Sequence, residues 1–429
     1  MIKIQKLKCD FPQFTDLVDA YIPSYVIIPL KDSAGKVCTS KKNVNMRVSE
    51  GEIIAQDSLS SPAIHSTVPG IITGFKTVSI PNGKKTQAAI IRTDGSFSYL
   101  GKNPPRNDWK KYTAADIFSL MFDKGVIDTF DKTKPLASVL KHFIETKGLV
   151  RDSVLAVRLF DSDPTVKTGE FLAERKLEQI IEGAAIIARS VSINRIVFIV
   201  KNNIETVKKA VSDFSDHNGG NTDFEVYKAL ANVYPSGGSR ELKLLLKKNR
   251  YTFEELLSVD AETAFFTYEA VVLNKPVLEK YVQFSGSPLV SGRMFRVRIG
   301  TPIRKLVEEC GGFNQSVYKI VTNGLIKGMA VSDLDTPVTA DLQAVTFLPK
   351  TIIPFQKQVN CIRCGSCHRV CPKNIQADKL FSYYYFHTEI DERILSMASE
   401  CTGCSVCDTA CPARLPLAQT ISLLKGGLQ

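Results

Sequence analysis

The sequence predicts a multidomain α+β chain, and three observations predict it. Short glycine-punctuated strands fill about residues 20–95, strands then alternate with amphipathic helices, and a doubled cysteine run closes the chain. At 429 residues the chain also exceeds what one ordinary core holds. The composition shifts place domains at 1–105 (all-β), 106–275 (α/β), 276–350 (a small β-rich module) and 351–429 (a helical cysteine domain).

The elements follow in order. Tyr25 to Leu30 reads as a buried strand, and Gly35, Gly51, Gly70, Gly74 and Gly83 mark turns between the short strands that follow. His65 has no second His or carboxylate neighbour and reads as a structural histidine. The stretch from Gly101 to Trp109 is polar, carries two prolines and reads as a linker. Beyond it the spacing predicts a helix over 114–124, a strand over 153–160 and a long helix over 170–190. A strand at 195–200, a helix at 204–214 and a strand at 224–229 continue the alternation, which implies a parallel sheet. A helical segment is expected over 254–272. Strands at 282–286 and 294–299, a helix at 302–310, and strands near 319–322 and 344–348 complete the small module. Two helices fit between 375 and 400, and an amphipathic helix over 415–424 ends the chain. Tyr383, Tyr384 and Tyr385 are expected to pack aromatic area over the cysteine sites.

The cysteines carry the chemistry. Cys361, Cys364, Cys367 and Cys371 are spaced C-x2-C-x2-C-x3-C-P, and Cys401, Cys404, Cys407 and Cys411 repeat that spacing. This is the ligand pattern of bacterial ferredoxins with two [4Fe–4S] clusters, in which the fourth cysteine of each run serves the other cluster. The spacing therefore assigns Cys361, Cys364, Cys367 and Cys411 to one cluster, and Cys401, Cys404, Cys407 and Cys371 to the second. Zinc needs four ligands per ion and neither a third repeated cysteine nor a following Cys-Pro. Disulfides are disfavoured in a reducing compartment, and the N-terminus lacks an apolar core of signal-peptide length. Cys9, Cys38 and Cys310 lie far apart and read as small buried residues.

The net charge is +11, spread as isolated lysine doublets with no nucleic-acid motif, which ranks nucleic acid last among the partners a basic chain could have, and none is expected. That charge suits an acidic ferredoxin or the anionic inner leaflet. Arg363, Arg369 and Lys373 add positive charge around the cysteine runs. No apolar run approaches the roughly 18 residues that span a bilayer.

Three stretches carry a family resemblance. Ser61 to Gly70 (Ser-Pro-Ala-Ile-His-Ser-Thr-Val-Pro-Gly), Arg296 to Ile303 (Arg-Val-Arg-Ile-Gly-Thr-Pro-Ile) with Cys310-Gly311-Gly312-Phe313, and the two cysteine runs resemble the RnfC family, the C-subunit of the Rnf electron-transport complex. The likeness runs from about residue 20 to the C-terminus. It implies that the first unit is a lipoyl-like β-sandwich barrel and that the α/β layer is similar to the flavin- and NADH-binding subunit of respiratory complex I. It also implies that the small module is a soluble-ligand-binding (SLBB-like) β-grasp. The family carries electrons between NADH and ferredoxin at an ion-translocating membrane complex, so the resemblance implies a peripheral protein on the cytoplasmic face of the inner membrane.

The same resemblance marks a candidate flavin site and its departures. The family's glycine-rich FMN loop aligns with residues 125–135, which keep Gly125 but lose the other glycines and gain Asp128 and Asp131. Backbone N–H groups cradle phosphate only where no side chain intervenes. In the family's acidic loop Asp161 and Asp163 remain, while a third loop, Tyr234-Pro235-Ser236-Gly237-Gly238, is intact. The expectation is a residual site of Gly125, Asp161, Asp163, Tyr234, Gly237 and Gly238 in which FMN is weak or absent and NADH binding is lost or weakened. The reading that results is an electron relay with no acid, base or nucleophile. Its rivals are an FMN-dependent NADH dehydrogenase or cobalamin-reductase-like flavoprotein, and an assembly scaffold with structural clusters.

Overall fold

The computed structural model describes residues 2–3, 17–31, 38–56, 63–130, 134–147, 152–218, 222–230, 233–352 and 358–427. The expectations for Cys9, Gly35, Ser61, Pro62 and Asp131 lie outside the described residues. The fold is multidomain and α+β.

The first unit is a four-stranded antiparallel sheet ordered Tyr25–Pro29, Lys85–Thr93, Gly70–Ser79 and Arg47–Val48, with the small pair Ile53–Ala55 and Ile64–His65 beside it. Its core gathers Val26, Ile28, Val48, Ile54, Ile72 and Ile91, with Cys38 buried among them. His65 is buried, and burial lowers its pKa to about 4, so it is a neutral core residue.

The α/β layer is a four-stranded parallel sheet ordered Asp223–Lys228, Arg195–Val200, Ser153–Arg158 and Glu255–Asp260. The last strand falls where helix is expected. Only Ala261–Val272 of that segment is helical, and Glu255–Asp260 is a strand because it pairs along the whole of Ser153–Arg158. Local propensity favours helix for its Glu and Leu residues, and the vacant sheet edge overrides it. The expected long helix is also two, Thr168–Arg175 and Leu177–Ser190, broken where Lys176 takes φ −132°. Gly183 lets Leu177–Ser190 pack tightly against Ala261–Val272, since a Cβ there would lie 1.9 Å from the Ala264 carbonyl oxygen. The helices Leu136–Lys147 and Ser239–Lys248 escaped the sequence reading. The 101–109 linker is anchored at its end, where Trp109 is buried and donates to Glu182 at 3.0 Å.

In chain order the sheet reads 3-2-1-4, so strand order reverses between Ser153–Arg158 and Glu255–Asp260. That reversal opens a crevice at their carboxyl ends, the usual ligand position in open α/β sheets.

The third unit is a six-stranded mixed sheet ordered Met329–Val331, Lys319–Thr322, Ala344–Leu348, Glu279–Ser285, Arg293–Arg298 and Leu17–Asp19. Phe284, Phe295 and Phe347 centre its core, which includes Cys310. The segment after Arg298 seams this sheet to the first unit: Ile27 N–H donates to the Gly300 carbonyl (2.8 Å) and the Thr67 hydroxyl to the Ile299 carbonyl (2.6 Å).

The cysteine domain repeats one plan. The helices Ser366–Val370 and Val406–Ala410 pack together, as do Ala377–Phe386 and Leu417–Gly427. Its core holds Ile375, Leu380, Phe381, Ala398, Leu415 and Ile421. The tyrosine run does not cover the cysteine sites as expected. Leu380 and Phe381 are the side chains that helix buries here, while Tyr384, Tyr385 and Phe386 are exposed.

Candidate metal centre

The repeat is visible in the backbone as well as in the cysteines. Arg363 and Gly403 both follow a first cysteine by two residues and both have positive φ, 53° and 67°. Gly365 and Ser405 repeat this at 68° and 54°, and Asn374 and Arg414 at 54° and 56°. These left-handed residues curl each loop so that three sulfurs face one hollow. Each loop then enters a short helix whose last residue leads to the fourth cysteine and a proline.

The folding brings the eight cysteines together as two sets. Cys361, Cys364 and Cys367 line one hollow with Cys411, and Cys401, Cys404 and Cys407 line a second with Cys371. The fourth sulfur of each run therefore faces the other run's loop. The remaining walls of the first hollow include Ile362, Pro412, Ala413, Leu415 and Leu417, and of the second Ile375, Val406, Ala418 and Ile421. Among the described residues no three His, Cys, Asp or Glu side chains converge closely enough to hold a single ion.

Backbone N–H groups of Arg363 and Gly403 point at the sulfurs of Cys361 and Cys401, each at 3.4 Å. Burial pushes the thiols of Cys367, Cys401 and Cys407 up, whereas the Ser366 hydroxyl bonded to Cys364 holds that thiol down. Thiols of this kind ionise when a metal displaces their protons. The cysteines differ in exposure: in the first set Cys364 is exposed, beside Ile362 at 65% exposure, and Cys367 is buried, while all four of the second set are partly covered.

Of the six residues of the candidate flavin site, Gly237 is brought against the acidic loop, where a Cβ would lie 3.4 Å from the Cα of Ser162, between Asp161 and Asp163. Gly125, at φ +72°, lies against the first unit, where a Cβ would meet the Ala63 carbonyl at 2.9 Å and the His65 ring at 3.4 Å. Asp161 accepts from Gly169 N–H at 2.9 Å and Glu170 N–H at 3.2 Å, which ties it to the start of the helix Thr168–Arg175. Its burial raises its pKa. Asp163 accepts from the N–H groups of Thr165, Ile326 and Lys327, each at 2.9 Å, and so binds the loop after Lys319–Thr322. Gly238 precedes the helix Ser239–Lys248.

The crevice itself is filled by the chain. Arg158 is buried at its centre, donating to the Gly237 carbonyl at 2.7 Å with its guanidinium 4.3 Å from the Phe130 ring centroid. Asp260 lies 3.5 Å from it and also accepts from Thr129 and Thr263. Asp128 is buried at the same place and holds the Phe130 N–H at 3.0 Å. Tyr234 points the other way. Its hydroxyl donates to the Cys404 carbonyl at 2.7 Å, and its ring packs with Val406, Ile326 and Val370. No signal local to residue 234 could have shown that contact, because its partner is 170 residues away.

Comparison with known proteins finds similarity to the C-subunits of ion-translocating oxidoreductase complexes. Residues 9–96 match the RnfC barrel sandwich hybrid domain, and residues 352–415 match a 4Fe-4S dicluster domain. The chain is 23% identical over 372 residues to the C-subunit of the proton-translocating ferredoxin:NAD(+) oxidoreductase complex of Clostridium ljungdahlii, covering 84% of this chain and 79% of that protein. The Na(+)-translocating counterpart from Acetobacterium woodii is 24% identical, covering 84% and 81%. Against the C-subunit of the ion-translocating oxidoreductase complex of Yersinia enterocolitica, 22% identical, the chain spans 52% of the relative's length. Among solved structures, a NAD+-reducing [NiFe]-hydrogenase in the H2-reduced state shares the fold, with a TM-score of 0.50 and 13% identity. The match covers 74% of this chain and 63% of that one. No helix among the described residues is long and apolar enough to cross a membrane.

Proposed function

Because the chain belongs to the RnfC family, we propose that it is the iron–sulfur electron-transfer subunit of an Rnf-like, ion-translocating membrane complex. The observation that carries this reading is the gathering of eight thiols into two sets of four. Cys361, Cys364, Cys367 and Cys411 would hold one [4Fe–4S] cluster, and Cys371, Cys401, Cys404 and Cys407 the second. The doubled C-x2-C-x2-C-x3-C-P spacing, with the fourth cysteine of each run lining the other run's hollow, suits two cubanes better than zinc ions. When bound, such clusters accept and release one electron at a time. The chain supplies thiolates, N–H groups aimed at sulfur, and largely apolar walls around both hollows.

The same reading makes the α/β layer a flavin-free support. Arg158, Phe130 and Asp260 occupy the crevice where a flavin would lie, and Asp161 and Asp163 are committed to backbone N–H groups. The third unit takes the part of an SLBB-like β-grasp, and the domain limits at 105, 275 and 350 follow from the same scheme, except that Leu17–Asp19, placed with the first domain by the sequence, forms the edge strand of the third unit's sheet. The protein sits at the membrane periphery on the cytoplasmic face. Its net charge of +11 suits the anionic leaflet and an acidic ferredoxin.

Anaerobic purification with iron, sulfide and flavin assayed on one sample tests both parts. About eight iron and eight sulfide per chain, no flavin, and clusters that cycle with dithionite are expected. Stoichiometric FMN would restore the NADH dehydrogenase reading. Clusters that never change oxidation state would favour a scaffold, and zinc in place of iron would end the electron-transfer reading.

A further inference from the structure

The two cysteine loops are copies offset by 40 residues, so Cys364 and Cys404 are equivalent positions, and so are Arg369 and Thr409. In the first copy the Cys364 carbonyl accepts from the Arg369 guanidinium at 3.0 Å. In the second, Thr409 turns its hydroxyl back to the Val406 carbonyl at 2.9 Å and leaves the Cys404 carbonyl to another donor. That donor is Tyr234, at 2.7 Å, from the α/β layer. One loop carbonyl is thus capped by an exposed cation of its own copy, and its equivalent by a buried neutral hydroxyl from a different unit.

We propose that Tyr234 is a positioning residue through which the α/β layer sets the reduction potential of the cluster held by Cys371, Cys401, Cys404 and Cys407. The inference rests on the cluster reading above. The positive end of the O–H dipole offsets the partial negative charge of a carbonyl within the ligand loop, which favours the more negative, reduced state. The tyrosine, 1% exposed, packs against Val406 and Cys404, so its hydroxyl dipole is weakly screened by water. The loop that carries it is held from behind, where Arg158 grips the Gly237 carbonyl. The filled crevice thereby acquires a role: it fixes the segment that reaches the cluster.

Potentiometric titration of the anaerobic full chain, followed by EPR, tests this with Tyr234→Phe. The variant keeps the ring, so unchanged iron and sulfide are expected. One midpoint potential moves lower and the other stays in place. Arg369→Gln should lower the opposite midpoint, with a smaller shift because water screens that site. Tyr384→Phe, an exposed tyrosine of the same domain, should move neither. Unchanged midpoints and line shapes in Tyr234→Phe would overturn the proposal, and so would loss of iron from it, which would mark a purely structural role. Wild-type protein without iron would instead sink the electron-transfer reading beneath it.

Discussion

Arg298 of the third unit and Glu50 of the first form an ion pair at 2.6 Å with almost no exposure to solvent. The contact is ionic rather than an aligned hydrogen bond, and Glu279 adds a second carboxylate at 3.3 Å. Arg298 lies in the Arg-Val-Arg-Ile-Gly-Thr-Pro-Ile stretch, so that motif is the seam between two units. Arg298→Met should destabilise the protein by about 3–5 kcal/mol, because it leaves Glu50 buried without its counter-charge. Urea melts of this variant, and a smaller loss in the double variant with Glu50→Gln, check it.

Cys364→Ala should remove about half of the iron and sulfide while circular dichroism and the main melting transition stay near wild type. The side chain is exposed, and the cysteine domain has its own core. Global unfolding on this substitution would contradict separate cores.

Gly183→Ala should destabilise by about 3 kcal/mol or more, since the methyl would press on the Ala264 carbonyl and force two buried helices apart. Thermal melts give the size of the effect. An unchanged melting temperature would count against this packing.

Acid sensitivity should trace to His65. Burial is the main cause of its low pKa, and the Lys124 cation adds to it. The folded state favours the neutral ring, so its contribution is complete above about pH 6.5 and is lost as the pH falls toward about 4. The full loss is on the order of 3 kcal/mol. His65→Gln should flatten the fall in melting temperature between pH 7 and 5, and an unaltered slope would assign the sensitivity elsewhere.

The cysteine repeat was legible in the sequence because its spacing is local and its partner is a copy of itself. The strand Arg195–Val200 was legible for a similar reason, as an unbroken apolar run. Glu255–Asp260 was not, because only its neighbour across the sheet makes it a strand. The roles of Asp161, Asp163 and Tyr234 were equally hidden. The family resemblance names the positions, but their partners at 169, 326 and 404 are set by how the chain folds and its units pack.

Cys364 stands in solvent, while Cys404 sits beneath the Tyr234 ring. Damage by air should therefore be unequal. Dioxygen and peroxide meet the outward site first, and a briefly aerated sample would be a mixture in which the sheltered site outlasts its twin.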